Sequence, residues 1–231
     1  MDFTADEYAR RDADRLRHVL WGPPVTWVFV GDSITQGVTH TRGWRSYVEH
    51  FAERVRGELG RRADAVVNTG VAAATAEGVL PEFHWRVGRF GPDVVAVMFG
   101  SNDANEGLDG IRSYRYALDQ LVQRSRDVGA TVVLQTPPPV QSGGRPAPDV
   151  VAAYAEEVRS LAAHLGVVLV DHHARWTQAG ADGGPQLWFD DLVHPSAAGH
   201  LELARTLFDT LGIADARSGV CALQVAAQPA G

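Results

Sequence analysis

A serine hydroxyl attacks a carbonyl only when a neighbouring base takes its proton. Ser33 stands directly after Gly31-Asp32, where the uncharged run Trp27-Val28-Phe29-Val30 ends. Far along the chain, His194 follows Asp191 at the spacing Asp-x-x-His. One short turn brings that carboxylate to a ring nitrogen, which sets the tautomer whose other nitrogen serves as the base. Asp190 is the rival acid. The spacing favours Asp191 and leaves Asp190 as a solvated or capping carboxylate. Acyl transfer also creates an oxyanion, which needs preorganised donors. The candidates are the backbone N–H of Ser33, the backbone N–H of Gly70 and the side-chain amide of Asn102. Glycine at 70 would let the backbone approach a substrate closely. Taken singly, each residue has an ordinary use: Asp32 and Ser33 as helix caps, Gly70 as a turn, Asn102 as a cap after a strand. Asp32 and Asp103 are read as carboxylates that orient loops through backbone hydrogen bonds, and Thr35 and Gln36 as the start of a helix.

Residues so far apart meet only if the fold gathers them. Mostly apolar runs at 25–30, 63–68, 93–99, 131–135 and 167–170 read as strands of a sheet buried on both faces. Amphipathic helices are expected at 4–20, 43–59, 111–128, 149–165 and from Ser196 onward, and one helix, interrupted by Pro81, in the 70s and 80s. Strands alternating with helices predict a three-layer α/β/α domain on a five-stranded parallel sheet. The flavodoxin-like order 2-1-3-4-5 puts the ends of strands one and three side by side at the switch point. The expected division is an N-terminal helical extension over 1–24, the main domain over 25–213 and a weakly ordered tail over 214–231. Segments 141–148 and 180–188 read as short loops.

Gly31-Asp32-Ser33, Asn68-Thr69-Gly70, Gly100-Ser101-Asn102-Asp103 and Asp191-Leu192-Val193-His194-Pro195 together resemble the SGNH hydrolases, the GDSL family of esterases and lipases. Ser33, Gly70, Asn102 and His194 match the residues behind that name, in the family's order, and the resemblance spans roughly residues 25–211. It implies the SGNH hydrolase fold and a triad of Ser33, Asp191 and His194 acting on a carboxylic ester without cofactor or metal. A short, acetyl-like acyl group on a sugar or small molecule is the expected substrate, because no large lid insertion is present. An acyltransferase with the same triad and a catalytically silent binding module on the same fold are the alternatives. One departure stands out: the family often has a second glycine shortly after the first, in a G-x-S-G-like pattern. Here the chain reads Gly70-Val71-Ala72-Ala73-Ala74.

The 231 residues are 45% apolar and carry a formal net charge of −7, with a pI near 5.7. An acidic balance argues against nucleic acid or an anionic membrane as partner and excludes little else; a small-molecule ester is the partner the resemblance implies. Cys221 is the only cysteine, so a disulfide within the chain and a multi-cysteine metal site are excluded. Asp171-His172-His173 lacks a second cluster to complete a metal site. His200 reads as a packing or surface residue, and Trp188 as a wall of the acyl pocket. The N-terminus shows no signal-peptide pattern, so a cytoplasmic location is expected unless a leader has been removed. The oligomeric state is left open.

Overall fold

The computed structural model describes residues 5–180 and 185–225, with side chains from residue 12 onward. In chain order come α1 (Ala5–Trp21), β1 (Thr26–Gly31), α2 (Ser33–Gln36), α3 (Tyr47–Ala52), β2 (Ala65–Asn68), α4 (Ala76–Val79), α5 (Phe83–Arg86), β3 (Val94–Met98), α6 (Ile111–Asp127), β4 (Thr131–Gln135), α7 (Pro148–Leu165), β5 (Val168–Val170), α8 (His172–Ala179) and α9 (Ala197–Leu211). The strands form one all-parallel sheet in the order β2-β1-β3-β4-β5.

Side-chain alternation along the strands divides the core into two layers. Val28, Val30, Val95, Val97, Val132 and Leu134 face α4, α5, α6 and α7. Trp27, Phe29, Val94, Ala96, Met98 and Val133 face α1, α3, α8 and α9. Both faces are therefore apolar, which is why the strands read as continuous hydrophobic runs rather than as alternating ones.

Two helical expectations are corrected. The helix expected over 43–59 begins only at Tyr47, because Ser46 and Glu49 form a capping box: each side chain bonds the other's backbone N–H. Trp44 therefore lies in the preceding loop, 53% exposed, rather than on the apolar face. Beyond Ala52 the helix widens, with Leu59 N–H reaching Arg54 O and Arg61 N–H reaching Val55 O. The helix expected through the 70s and 80s is instead two single turns, α4 and α5, separated by the turn that holds Pro81.

α1 buries Leu16 and Leu20 in the second layer, and Asp12 pairs with Arg126 at 3.0 Å. After α9 the chain is tied back to the body. Glu58 accepts from Ser218 Oγ and Val220 N–H, and Arg205 donates to Cys221 O and Leu223 O. Residues 181–184 of the expected loop and 226–231 of the expected tail lie outside the described residues. No described helix is long and apolar enough to cross a membrane.

Candidate active site

β1 ends at Gly31, whose missing Cβ leaves room that Thr35 and the Met98 carbonyl fill. Asp32 then caps α2, accepting from Ile34 N–H at 2.9 Å. Ser33 opens α2, so its N–H belongs to a first turn with no intrahelical acceptor. The reading of Asp32 as a cap and that of Ser33 as a reactive group are thus compatible: the cap aims the serine. Burial outweighs that amide contact and pushes the Asp32 carboxyl up to about 7.

Ser33 Oγ lies 3.1 Å from His194 Nε2, across 161 positions of sequence. His194 Nδ1 lies 2.9 Å from Asp191 Oδ2 and 3.1 Å from Oδ1. Oδ1 also accepts the backbone N–H groups of Val193 and His194, at 2.7 and 2.6 Å. Burial opposes charge on Asp191, yet these amides and the imidazole together hold its carboxyl below its ordinary range. The loop is pinned at both ends, by Asp190 N–H to His194 O and by Ser196 N–H to Trp188 O, before Ser196 caps α9.

The expected oxyanion donors stand differently. Asn102 stands at the N-cap position of the turns that follow it, but its side chain makes no cap bond there. It donates to Ala74 O at 3.1 Å, and an amide carries a second N–H beyond that one. The Gly70 N–H is directed at Asn68 Oδ1, 2.9 Å away. A Cβ at Gly70 would lie 2.4 Å from the Gln36 backbone nitrogen, so close packing against α2 also requires glycine there. Asp103 ties two loops together, accepting from Ala76 N–H and Gly100 N–H. Its buried carboxyl is pushed up to about 6. Thr35 and Gln36 are helical; Thr35 Oγ1 pairs with the Tyr47 hydroxyl, and Gln36 Oε1 accepts from Ala72 N–H.

One expectation is overturned here. Asp190 is neither solvated nor a cap: it pairs with His40 Nδ1 at 3.0 Å and with Arg42 Nε at 2.6 Å, its side chain only 15% exposed. Trp188 packs edge-on against the buried Trp176, 5.2 Å between centroids, in the layer beneath α9. His200 is buried, takes the Tyr47 N–H on Nδ1 and is pushed down to about 3 by that burial.

His40 is the site residue that the sequence reading missed. Its ring stacks on that of His194 with centroids 3.7 Å apart and planes 2° from parallel. The one signal available was a histidine in the loop that follows the serine's helix. Donor atoms of His40, Asp191 and His194 lie within 4.8 Å of one another, a spacing in reach of a cation. Stacked parallel rings, however, aim their in-plane lone pairs side by side rather than at one point.

A model of the GDSL-like Lipase/Acylhydrolase family matches residues 29–201. An acetylxylan esterase of Geobacillus stearothermophilus is 28% identical over 213 residues, 83% of this chain and 95% of that protein. The crystal structure of Axe2, an acetylxylan esterase from the same organism, has a TM-score of 0.69 at 25% identity, over 85% of this chain and 99% of its own. LAE5, an alpha/beta hydrolase enzyme from the metagenome of Lake Arreo, Spain, shares the fold with a TM-score of 0.70 at 24% identity, over 84% and 98% of the two chains.

Proposed function

We propose a reaction from one premise: the chain belongs to the GDSL-like Lipase/Acylhydrolase family and is a serine carboxylic ester hydrolase. The substrate is a short acyl ester, acetyl-like, on a sugar or another small polar alcohol. Ser33 Oγ attacks the ester carbonyl as its proton passes to His194 Nε2. The tetrahedral oxyanion takes the Ser33 N–H and the second N–H of Asn102. The Gly70 N–H joins them by leaving Asn68 Oδ1 for the oxyanion, a stronger acceptor. His194 hands its proton to the departing alcohol, and the acyl group stays on Ser33. Water then attacks with His194 again as base, releasing the acid and restoring the serine. Asp191 holds the imidazole in the required tautomer and balances the charge it gains.

The observation that carries this reading is the continuous Ser33–His194–Asp191 chain, with heavy-atom distances of 3.1 and 2.9 Å. Similarity to an acetylxylan esterase supports the short acyl group. Exposure of Val38, Val71 and Leu192, which adjoin the site residues in sequence, supports an open rim. A chain-length series of nitrophenyl esters, with acetylated sugars beside it, tests the proposal. Acetyl is expected to give the highest kcat/KM, and Ser33→Ala to abolish turnover above background. Equal rates on long acyl chains would remove the acyl preference. Undiminished turnover by Ser33→Ala would remove the mechanism.

A further inference from the structure

Two consecutive aspartates each hold one of two stacked imidazoles. Asp191 takes Nδ1 of His194, and Asp190 takes Nδ1 of His40 while Arg42 fixes its other oxygen. A carboxylate only accepts, so both rings carry hydrogen on Nδ1. His40 Nδ1 lies 3.6 Å from Asp191 Oδ2 as well, so both rings present that edge to the aspartates. The loop carrying His40 is held in an unfavourable shape. Thr39 and Arg42 on either side adopt left-handed backbone conformations, φ 66° and 50°, which side chains with a Cβ disfavour. Thr41 Oγ1 ties the loop to Gly37 O, and His40 N–H turns back to Val38 O.

We propose that His40 is a positioning residue for the base. It is a ring, tethered by Asp190 and Arg42, that keeps the plane of His194 and lies face-on to the positive charge His194 gains in the transition state. This rests on the Ser33–His194 reading above. A neutral π face attracts a cation stacked on it, and a fixed plane keeps Nε2 in line first with Ser33 Oγ and then with the leaving oxygen. The charged and titratable groups around His194 are Asp191, Asp190, Arg42 through Asp190, His40, and the buried His200.

The test compares His40→Ala with His40→Phe, which keeps a flat π face but cannot ionise. It reads kcat, KM, the acid limb of the pH profile and the rate of fluorophosphonate labelling of Ser33. His40→Ala is expected to lower kcat and the labelling rate about 10- to 100-fold, with KM changed less than about twofold. His40→Phe is expected to recover both to within about threefold of the parent. Arg42→Ala, an exposed change that frees Asp190, should cost about threefold in kcat alone and nothing further in the His40→Phe background. That cycle decides the matter even if His40→Ala does not fold. Equal losses in Ala and Phe, no loss in either, or an Arg42 effect that persists beside Phe would overturn the proposal. An acid limb that moves to higher pH in His40→Ala would do the same, since a ring face that stabilises the imidazolium requires the opposite shift on its removal. Failure of the parent enzyme to label at Ser33 would instead remove the triad itself, so the two failures are distinguishable.

Discussion

At the residue scale, the donors and the acid make separable predictions. Asn102→Ala leaves Ala74 O without its donor and removes the oxyanion contact proposed above. It is expected to lower kcat by about 10²–10³ with KM little changed, as read from steady-state kinetics. Asp191→Asn has a different logic. The carboxylate accepts from two backbone amides and from the imidazole, and an amide cannot serve all three. With its oxygen kept by the backbone, its NH2 group faces His194 Nδ1 and imposes the wrong tautomer. A fall in kcat of about 10³–10⁴ is expected, and kcat near the parent value would exclude Asp191 as the acid. Ser33 and Asn102 stand out in the sequence because side-chain type and strand-end position coincide, and Asp191 and His194 because of their Asp-x-x-His spacing just before the last helix. His40 does not, because its relation to His194 exists only across 154 positions of chain, in a loop with no periodic pattern. Asn68 stands in a stretch that carries the resemblance, but its hold on the Gly70 N–H depends on a local turn that residue types do not announce.

At the element scale, the turn after β2 shows what a missing glycine costs. Ala73, three residues after Gly70 where a G-x-S-G pattern has its second glycine, adopts φ 61° and is exposed. The left-handed conformation is therefore kept without the residue that tolerates it. Ala73→Gly is expected to raise stability by about 1 kcal/mol, because it relieves that strain by more than it loosens the unfolded chain. Thermal or urea unfolding checks this, and a fall in stability would show that the methyl group makes a contact outweighing the strain. The strands were legible because a parallel sheet covered on both faces demands unbroken apolar runs. Helix boundaries were less so. α3 is set by a capping box rather than by its apolar spacing, and α4 and α5 are too short for their 3.6-residue period to register.

At the scale of the whole molecule, the layer between the sheet and α3, α8 and α9 holds three buried histidines. Burial pushes His50 down to about 4, and His172 and His200 down to about 3. Below the ordinary histidine value of 6.5, the unfolded chain takes up protons that the folded one refuses, so stability falls as pH drops through that range. Asp32 and Asp103, pushed up to about 7 and about 6, act in the opposite direction between their ordinary value and those values. Three groups outweigh two, and stability is expected to decline gently from about pH 6 to about pH 4.5. His172→Gln should take about 1.4 kcal/mol per pH unit off the slope that histidines contribute there, measured by urea unfolding at several pH values. A slope identical to the parent's would mean that His172 ionises alike in both states. The sheet also sets when the protein becomes competent. The proposed nucleophile follows β1, the first strand of the sheet, whereas the proposed acid and base come after β5 in one loop. On the proposed mechanism, a chain with all five strands formed still lacks its base until the segment before α9 is in place over Ser33. On the same mechanism, two halves parted between Ser142 and Gly143, both exposed, would each lack part of the triad and would regain turnover only by reassembling.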